Sequence, residues 1–336
     1  MKCPRLLASS LVRSLLLCSA VVGCAPSSGS DATLDASASE TAIAIPDGSD
    51  DAQLDATPAS DASATDSASD SAAPDASATD ASVGTGGSGG VTCTSTGTVS
   101  NNGTTYRFCV LTISGIELKL VEPAMDTSAA PLRLAVYLHG DGARAHTGNT
   151  TVRLHAPWTT THRTLYVSAL APNRCAWWLR PSFTDCTATP TDADIDRAGD
   201  NVTALRAVID GLGRAYNLDL REILFGGSSG GAFFLTASWI PAMGDRVGGG
   251  YALVCGAHAP WSGALSWDST VAALRNKSRL SFTYGAQDEF LADITGGVSF
   301  YRDRMFTLDE RVLPNTTHCA FDHIGRVAEV WSAWAP

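Results

Sequence analysis

Glu222-Ile-Leu-Phe-Gly-Gly-Ser-Ser-Gly-Gly-Ala232 reads as a short buried strand that passes straight into a Gly/Ser turn and then into a helical pattern. G-x-S-x-G between a strand and a helix places a serine in a sharp turn, flanked by small residues and exposed at a helix N-terminus. Two registers match here, Gly226/Ser228/Gly230 and Gly227/Ser229/Gly231. Ser229 is preferred because it gives the strand its usual length and lets the second serine open the helix; Ser228 is the other register. A Gly-rich turn can also serve only tight strand–helix packing, so the motif needs partners.

Upstream, the apolar run Leu132–Leu138 ends in His139-Gly-Asp-Gly142. In that position the main-chain N–H of Asp141, with that of Gly230, would form an oxyanion hole. His139 would then be structural. Downstream, Tyr284-Gly-Ala-Gln-Asp288 follows another strand pattern and offers Asp288 as the carboxylate that orients an imidazole, with Glu289 and Asp293 as competitors. Thr316-Thr-His318 precedes the last helical pattern; His318 is the candidate base and His323 its alternative. The order Ser…Asp…His suits a triad in which the serine attacks, the histidine takes and returns its proton, and the carboxylate holds the imidazole.

The segments between these motifs alternate in type. Thr104–Ile113 and Glu117–Val121 read as early strands, with a hairpin-turn signal at Asn102-Gly103 ahead of the first. Leu132–Leu138, Thr164–Leu170, Glu222–Phe225, Val247–Cys255 and Arg279–Tyr284 are apolar runs of the kind buried in parallel sheets. Val202, Leu205, Val208, Ile209 and Leu212 recur at helical spacing, and further helices are expected after Gly231, after Gly296 and from Phe321 to Trp334. The alternation predicts an α/β domain with a mostly parallel central sheet and helices on both faces, its site at the carboxyl ends of the strands.

Charge divides the chain of 336 residues, whose formal net charge is −11. Residues 25–92 hold 12 acidic residues, no Lys or Arg and no aromatic ring. Such a Ser/Ala/Asp tract cannot bury enough apolar surface to offset its conformational entropy, and it reads as a disordered linker. Residues 93–336 carry 20 basic and 22 acidic side chains and show no basic footprint for nucleic acid. Residues 1–23 combine Lys2, Arg5 and Arg13 with a short apolar run, a secretory signal pattern, and Val21-Val-Gly-Cys24 resembles the lipobox of bacterial lipoproteins. The expected organisation is therefore a signal peptide over 1–23, a lipidated Cys24 and acidic linker over 24–92, and one folded domain over 93–336. The protein would be exported and held at the cell envelope or surface by lipid, or secreted if the signal is an ordinary one.

Export also suits the cysteines. Six lie beyond the signal region, and pairing near neighbours joins Cys93 to Cys109 and Cys175 to Cys186, which leaves Cys255 for Cys319. That last bond would tie the loop of His318 to a strand end. No spacing favours a metal site, and no organic cofactor is implied.

On Leu138-His-Gly-Asp-Gly142, Gly227-Ser-Ser-Gly-Gly231, Gly285-Ala-Gln-Asp288 and His318, residues 104–334 resemble secreted α/β-hydrolases of the group that contains polyhydroxybutyrate depolymerases and feruloyl esterases. The resemblance implies the α/β-hydrolase fold and a serine esterase acting on small-molecule or polymeric carboxylic esters, such as polyester, feruloyl or acetyl esters. A serine peptidase on the same fold and a tethered non-catalytic binding domain are the alternatives. The chain departs from the group in having Gly230 directly after the nucleophile, where a larger residue is common, and in the insert Cys175-Ala-Trp-Trp-Leu-Arg-Pro-Ser-Phe-Thr-Asp-Cys186. If that insert is stapled, Trp177, Trp178 and Phe183 would form an aromatic wall beside the site; otherwise the rings cover the sheet edge as core.

Overall fold

Nine strands among the described residues pair into one sheet in a computed structural model that describes residues 90–124, 130–267 and 278–335. The signal segment, Cys24 and the acidic linker lie outside the described residues. The strands are β1 (Ser95–Asn101), β2 (Thr104–Ile113), β3 (Ile116–Val121), β4 (Leu132–Leu138), β5 (Thr164–Ala169), β6 (Leu218–Ser228), β7 (Gly249–Val254), β8 (Ser278–Gly285) and β9 (Thr307–Leu313). Their order is β1-β2-β3-β5-β4-β6-β7-β8-β9. The pairs β1–β2, β2–β3 and β3–β5 are antiparallel, and the rest are parallel.

The helices are α1 (Arg144–Thr147), α2 (Thr150–Thr161), α3 (Asp200–Ala215), α4 (Gly230–Phe234), α5 (Ile240–Met243), α6 (Leu291–Asp303) and α7 (His323–Trp334). A π-helical turn, Leu235–Trp239, joins α4 to α5. Alternation along β4 shows how the sheet feeds two cores: Leu134, Val136 and Leu138 face one with Leu205, Phe234 and Ile294, while Ala135 and Tyr137 face the other with Val152, Trp158 and Trp331. Helices α3, α4 and α6 thus cover one face and α2 and α7 the other. With the strand–turn–helix junction at β6, this is the α/β-hydrolase fold. No helix among the described residues is long and apolar enough to cross a membrane.

Three expectations need correction. Strands β1 and β9 were not marked by any apolar run; both are edge strands, with Val99 the only buried side chain of β1 and none buried in β9. Helix α2 is Thr-rich and contains Pro157, and it is held by burial of Val152, Ala156 and Trp158 in place of local propensity. Helix α6 starts before Gly296, not after it, because the glycine pair lies in its interior: a Cβ on Gly297 would come within 2.7 Å of the His258 backbone nitrogen.

Three histidines sit in these cores. His139, His146 and His155 are each 0% exposed, and burial lowers their pKa values to about 4, 3 and 4. The charge on nearby Lys119 depresses His146 further.

An unfolded chain protonates these imidazoles below about pH 6.5, and the fold resists until about pH 4. The unfolded state therefore holds more protons in that window, and stability is lost as pH falls through it, by up to roughly 1.4 kcal/mol per pH unit for each histidine. Urea midpoints measured from pH 7 down to pH 4 should drop steadily; a flat series would show that these side chains protonate without unfolding. For α6, Gly297→Ala should destabilise by about 1–3 kcal/mol, while Gly296→Ala, which meets open space, should stabilise by about 0.5–1 kcal/mol in the same assay.

Candidate active site

Ser229 follows the last residue of β6 with φ 48° and ψ −121°, a positive-φ conformation rare for a side-chain-bearing residue. Its N–H donates to Val254 O on β7 at 3.0 Å, and its carbonyl accepts from Phe233 N in α4 at 2.9 Å. Its hydroxyl faces His318 Nε2 at 2.9 Å. Ser228 is 2% exposed and accepts the Tyr137 O–H at 2.9 Å. The structure therefore turns Ser229, not Ser228, towards an imidazole.

His318 Nδ1 lies 2.9 Å from Asp288 Oδ1 and 3.1 Å from Oδ2. With Nδ1–H donating to the carboxylate, Nε2 is the acceptor for the serine proton. The Asp288 side chain is fully buried and also accepts from Phe290 N at 3.0 Å. Of the competitors, Glu289 is exposed and Asp293 approaches His258 at 4.0 Å; His323 contacts the Phe321 carbonyl. Parallel β8 and β9 carry the two loops to the same edge of the sheet. Ala286 N donates to Leu313 O and Gln287 N to Thr316 O, both at 2.9 Å, so the loops are zipped together.

The His139–Gly142 turn lies over the start of α4. Gly231 has no room for a Cβ, because the Leu138 and His139 carbonyls pass directly across it. His139 uses both nitrogens on the main chain: Nδ1 with Gly140 O at 2.7 Å and Nε2 accepting from Ala171 N at 2.9 Å. Gly142 N donates to Cys175 O, whereas the N–H groups of Asp141 and Gly230 have no acceptor among the described residues. The turn that carries Asp141 packs against Ser229, where a Cβ on Gly140 would come within 3.2 Å of the Ser229 Cβ, and an unpaired N–H can receive an anionic oxygen. The Asp141 carboxylate accepts from Trp178 Nε1 at 3.1 and 3.2 Å; the residue is exposed, yet desolvation by the surrounding protein raises its pKa.

Three disulfides are formed: Cys93–Cys109, Cys175–Cys186 and Cys255–Cys319, with Cα–Cα distances of 5.4, 5.1 and 5.2 Å. The Cys175–Cys186 loop is organised by two side chains that gave no sequence signal. Asn173 Nδ2 donates to Ala176 O and Leu179 O, and Asn201 Nδ2 to Trp177 O and Leu179 O. The expectation that Trp177 touches a substrate is wrong: it is 0% exposed and packs on Phe234. Phe183 makes no ring contact among the described residues. Trp178 does stand at the site, and four residues that sequence reasoning missed extend its ring surface. Trp178 meets Trp261, Trp261 meets His258, Phe233 lies between His258 and Phe290, and Phe290 sets its edge against His318 at 5.0 Å. Phe233 lies one helical turn after Ser229 and Phe290 two residues after Asp288, spacings that were legible; Trp261 had none.

Cys255, Cys319 and His323 bring ligand-type atoms together among the described residues. Both sulfurs are committed to the disulfide, which leaves no thiolate for a metal.

No family model and no curated protein matches the chain. Among solved structures it is similar to a thermostable esterase (16% identity, TM-score 0.46, covering 70% of this chain and 59% of that one). It is also similar to an esterase of Pyrobaculum calidifontis (16%, 0.45, 68% and 84%) and to acyl-protein thioesterase 2 of Zea mays (13%, 0.45, 65% and 99%). These likenesses concern the fold; the site rests on its own geometry.

Cys255–Cys319 closes a loop between residues 64 apart and is adjacent to His318. In the chain-entropy model it contributes about 4 kcal/mol. Cys255→Ala/Cys319→Ala should lower the melting temperature and, where the site turns over substrate, the rate as well, because a base displaced by about 1 Å can cost about a hundredfold. Unchanged melting would show that the bond constrains nothing.

Proposed function

We propose that the protein is a serine esterase that hydrolyses carboxylic esters by acyl transfer. The observation that carries this is the continuous line from Ser229 Oγ to His318 Nε2, and from His318 Nδ1 to Asp288, each step 2.9 Å. His318 removes the Ser229 proton as Oγ attacks the ester carbonyl. The oxyanion is received by the N–H groups of Asp141 and Gly230, and His318 then returns the proton to the leaving alcohol. Water repeats the sequence on the acyl-serine, with His318 again as base. Asp288 fixes the imidazole tautomer and stabilises its charged form. The ring surface from Trp178 to Phe290 suits an apolar or aromatic portion of a small-molecule or polymeric ester.

Export completes the reading. A lipid on Cys24 would anchor the chain to a membrane, and the acidic stretch 25–92 would link that anchor to the domain. The domain would then work at the cell envelope or surface.

Labelling the purified chain with an active-site-directed phosphonate, followed by peptide mapping, should place the adduct on Ser229. Ser229→Ala should lower ester turnover by about 10⁵-fold or more, whereas Ser228→Ala should stay within about tenfold of the parent. A dead Ser228→Ala beside an active Ser229→Ala would reverse the assignment. A p-nitroanilide cleaved as fast as the matching p-nitrophenyl ester would favour a peptidase.

A further inference from the structure

A carboxylate beside an oxyanion pocket opposes the reaction proposed above, because it repels the charge that the pocket must hold. Asp141 nevertheless puts one there. Its Oδ1 fills the place that a Cβ on Gly230 would take, and Trp178 Cδ1 closes on the same point at 3.0 Å. Gly230, the departure from the usual larger residue after the nucleophile, is thus the space into which Asp141 folds. The only hydrogen-bond donor to the carboxylate among the described residues is the neutral Trp178 N–H, shared by both oxygens. Most of its acceptor capacity stays unused, no basic side chain among the described residues lies within ion-pair distance of it, its one charge interaction being the longer-range one with His318, and the residue is exposed.

We propose that Asp141 is a specificity-determining residue that, with Trp178, binds a cationic group carried next to the scissile carbonyl, so that the esters this site takes best are α-aminoacyl esters. The proposal rests on the esterase reading. An α-ammonium fits three features together. It lies within a few ångströms of the carbonyl oxygen held by Gly230 N–H, it donates to the open lone pairs of Asp141, and its charge cancels the one that would oppose the oxyanion. A neutral hydroxyl would satisfy the lone pairs and leave the repulsion in place. The indole surfaces of Trp178 and Trp261 alongside also suit a cation.

The test compares L-alanine ethyl ester with ethyl isobutyrate, in which a methyl replaces the ammonium, at about pH 6.5, where the α-amino group is protonated. Each rate is divided by that ester's own hydroxide-catalysed rate. The full chain should favour the alanine ester by about tenfold or more in kcat/KM. Asp141→Asn retains an oxygen for Trp178 but loses the charge; it should abolish that preference, slowing the alanine ester and speeding the isobutyrate. Preference for the isobutyrate, or an Asp141→Asn effect equal on both esters, overturns the proposal. Calorimetric binding of the same esters to Ser229→Ala reads the preference without turnover: about tenfold tighter for the alanine ester, and equal in Ser229→Ala/Asp141→Asn. A binding preference without cleavage by the parent chain would defeat the esterase reading and, with it, the ester specificity, leaving only cation binding at Asp141; cleavage of both esters with no preference would defeat this proposal alone.

Discussion

The backbone of Ser229 is the constraint on which the site depends. A positive-φ residue with a side chain costs about 1–3 kcal/mol and persists only where its surroundings hold it. Here the holding groups come from both sides: β7 takes the Ser229 N–H, and α4 donates to the Ser229 carbonyl. Relaxing the turn would break either the strand ladder or the first helical turn. The buried sheet therefore fixes the serine, and the rest of the site is positioned against it. The carbonyls at the end of β4 lie on Gly231 for the same reason, and the turn that follows packs Gly140 against Ser229.

Asp288 and His318 need more support, because both stand on loops. A parallel sheet delivers its loops to one edge, so Asp288 and His318 arrive near Ser229 by topology alone. Topology does not supply sub-ångström placement. That comes from the backbone hydrogen bonds between the two loops, from the contact of Gly285 with the Thr316 carbonyl, and from the bond between Cys319 and the end of the neighbouring strand β7. Phe290 also packs against the imidazole, its ring centroid 5.0 Å from that of His318.

The central strands were legible because burial on both faces leaves an uninterrupted apolar run, and the elbow was legible because only small residues fit it. The edge strands were not. Thr307-Leu-Asp-Glu-Arg-Val-Leu313 carries charges where a central strand carries Val or Leu, as an edge must if it is not to pair with another chain. Helix α2 was hidden because its threonines and Pro157 argue against a helix locally, and tertiary packing overrides them. In the Trp pair, adjacent residues project in different directions, one into the core and one to the site; composition shows the rings and cannot show which is which. Asn173 and Asn201, which decide that geometry through main-chain carbonyls, have no signature at all, since an asparagine that organises a loop looks like any other.

The histidines show what separates a position in a motif from a chemical role. The chain has seven. His139 heads a motif next to Ser229, yet both its nitrogens are spent on the main chain, and burial holds its pKa near 4. It cannot take up a proton at neutral pH without losing one of those bonds, so its work is to fix the loop that carries Asp141. His146 and His155 are buried and held neutral in the same way. His318 differs in its partners: one nitrogen meets a carboxylate, the other a hydroxyl, and its side chain keeps 22% of its surface open. Gaining a proton there leaves the Nδ1–carboxylate bond in place and adds charge where Asp288 can stabilise it. Burial thus keeps His139, His146 and His155 from accepting a charge, whereas His162, His258 and His323 are partly exposed and differ from His318 in lacking a serine hydroxyl partner among the described residues.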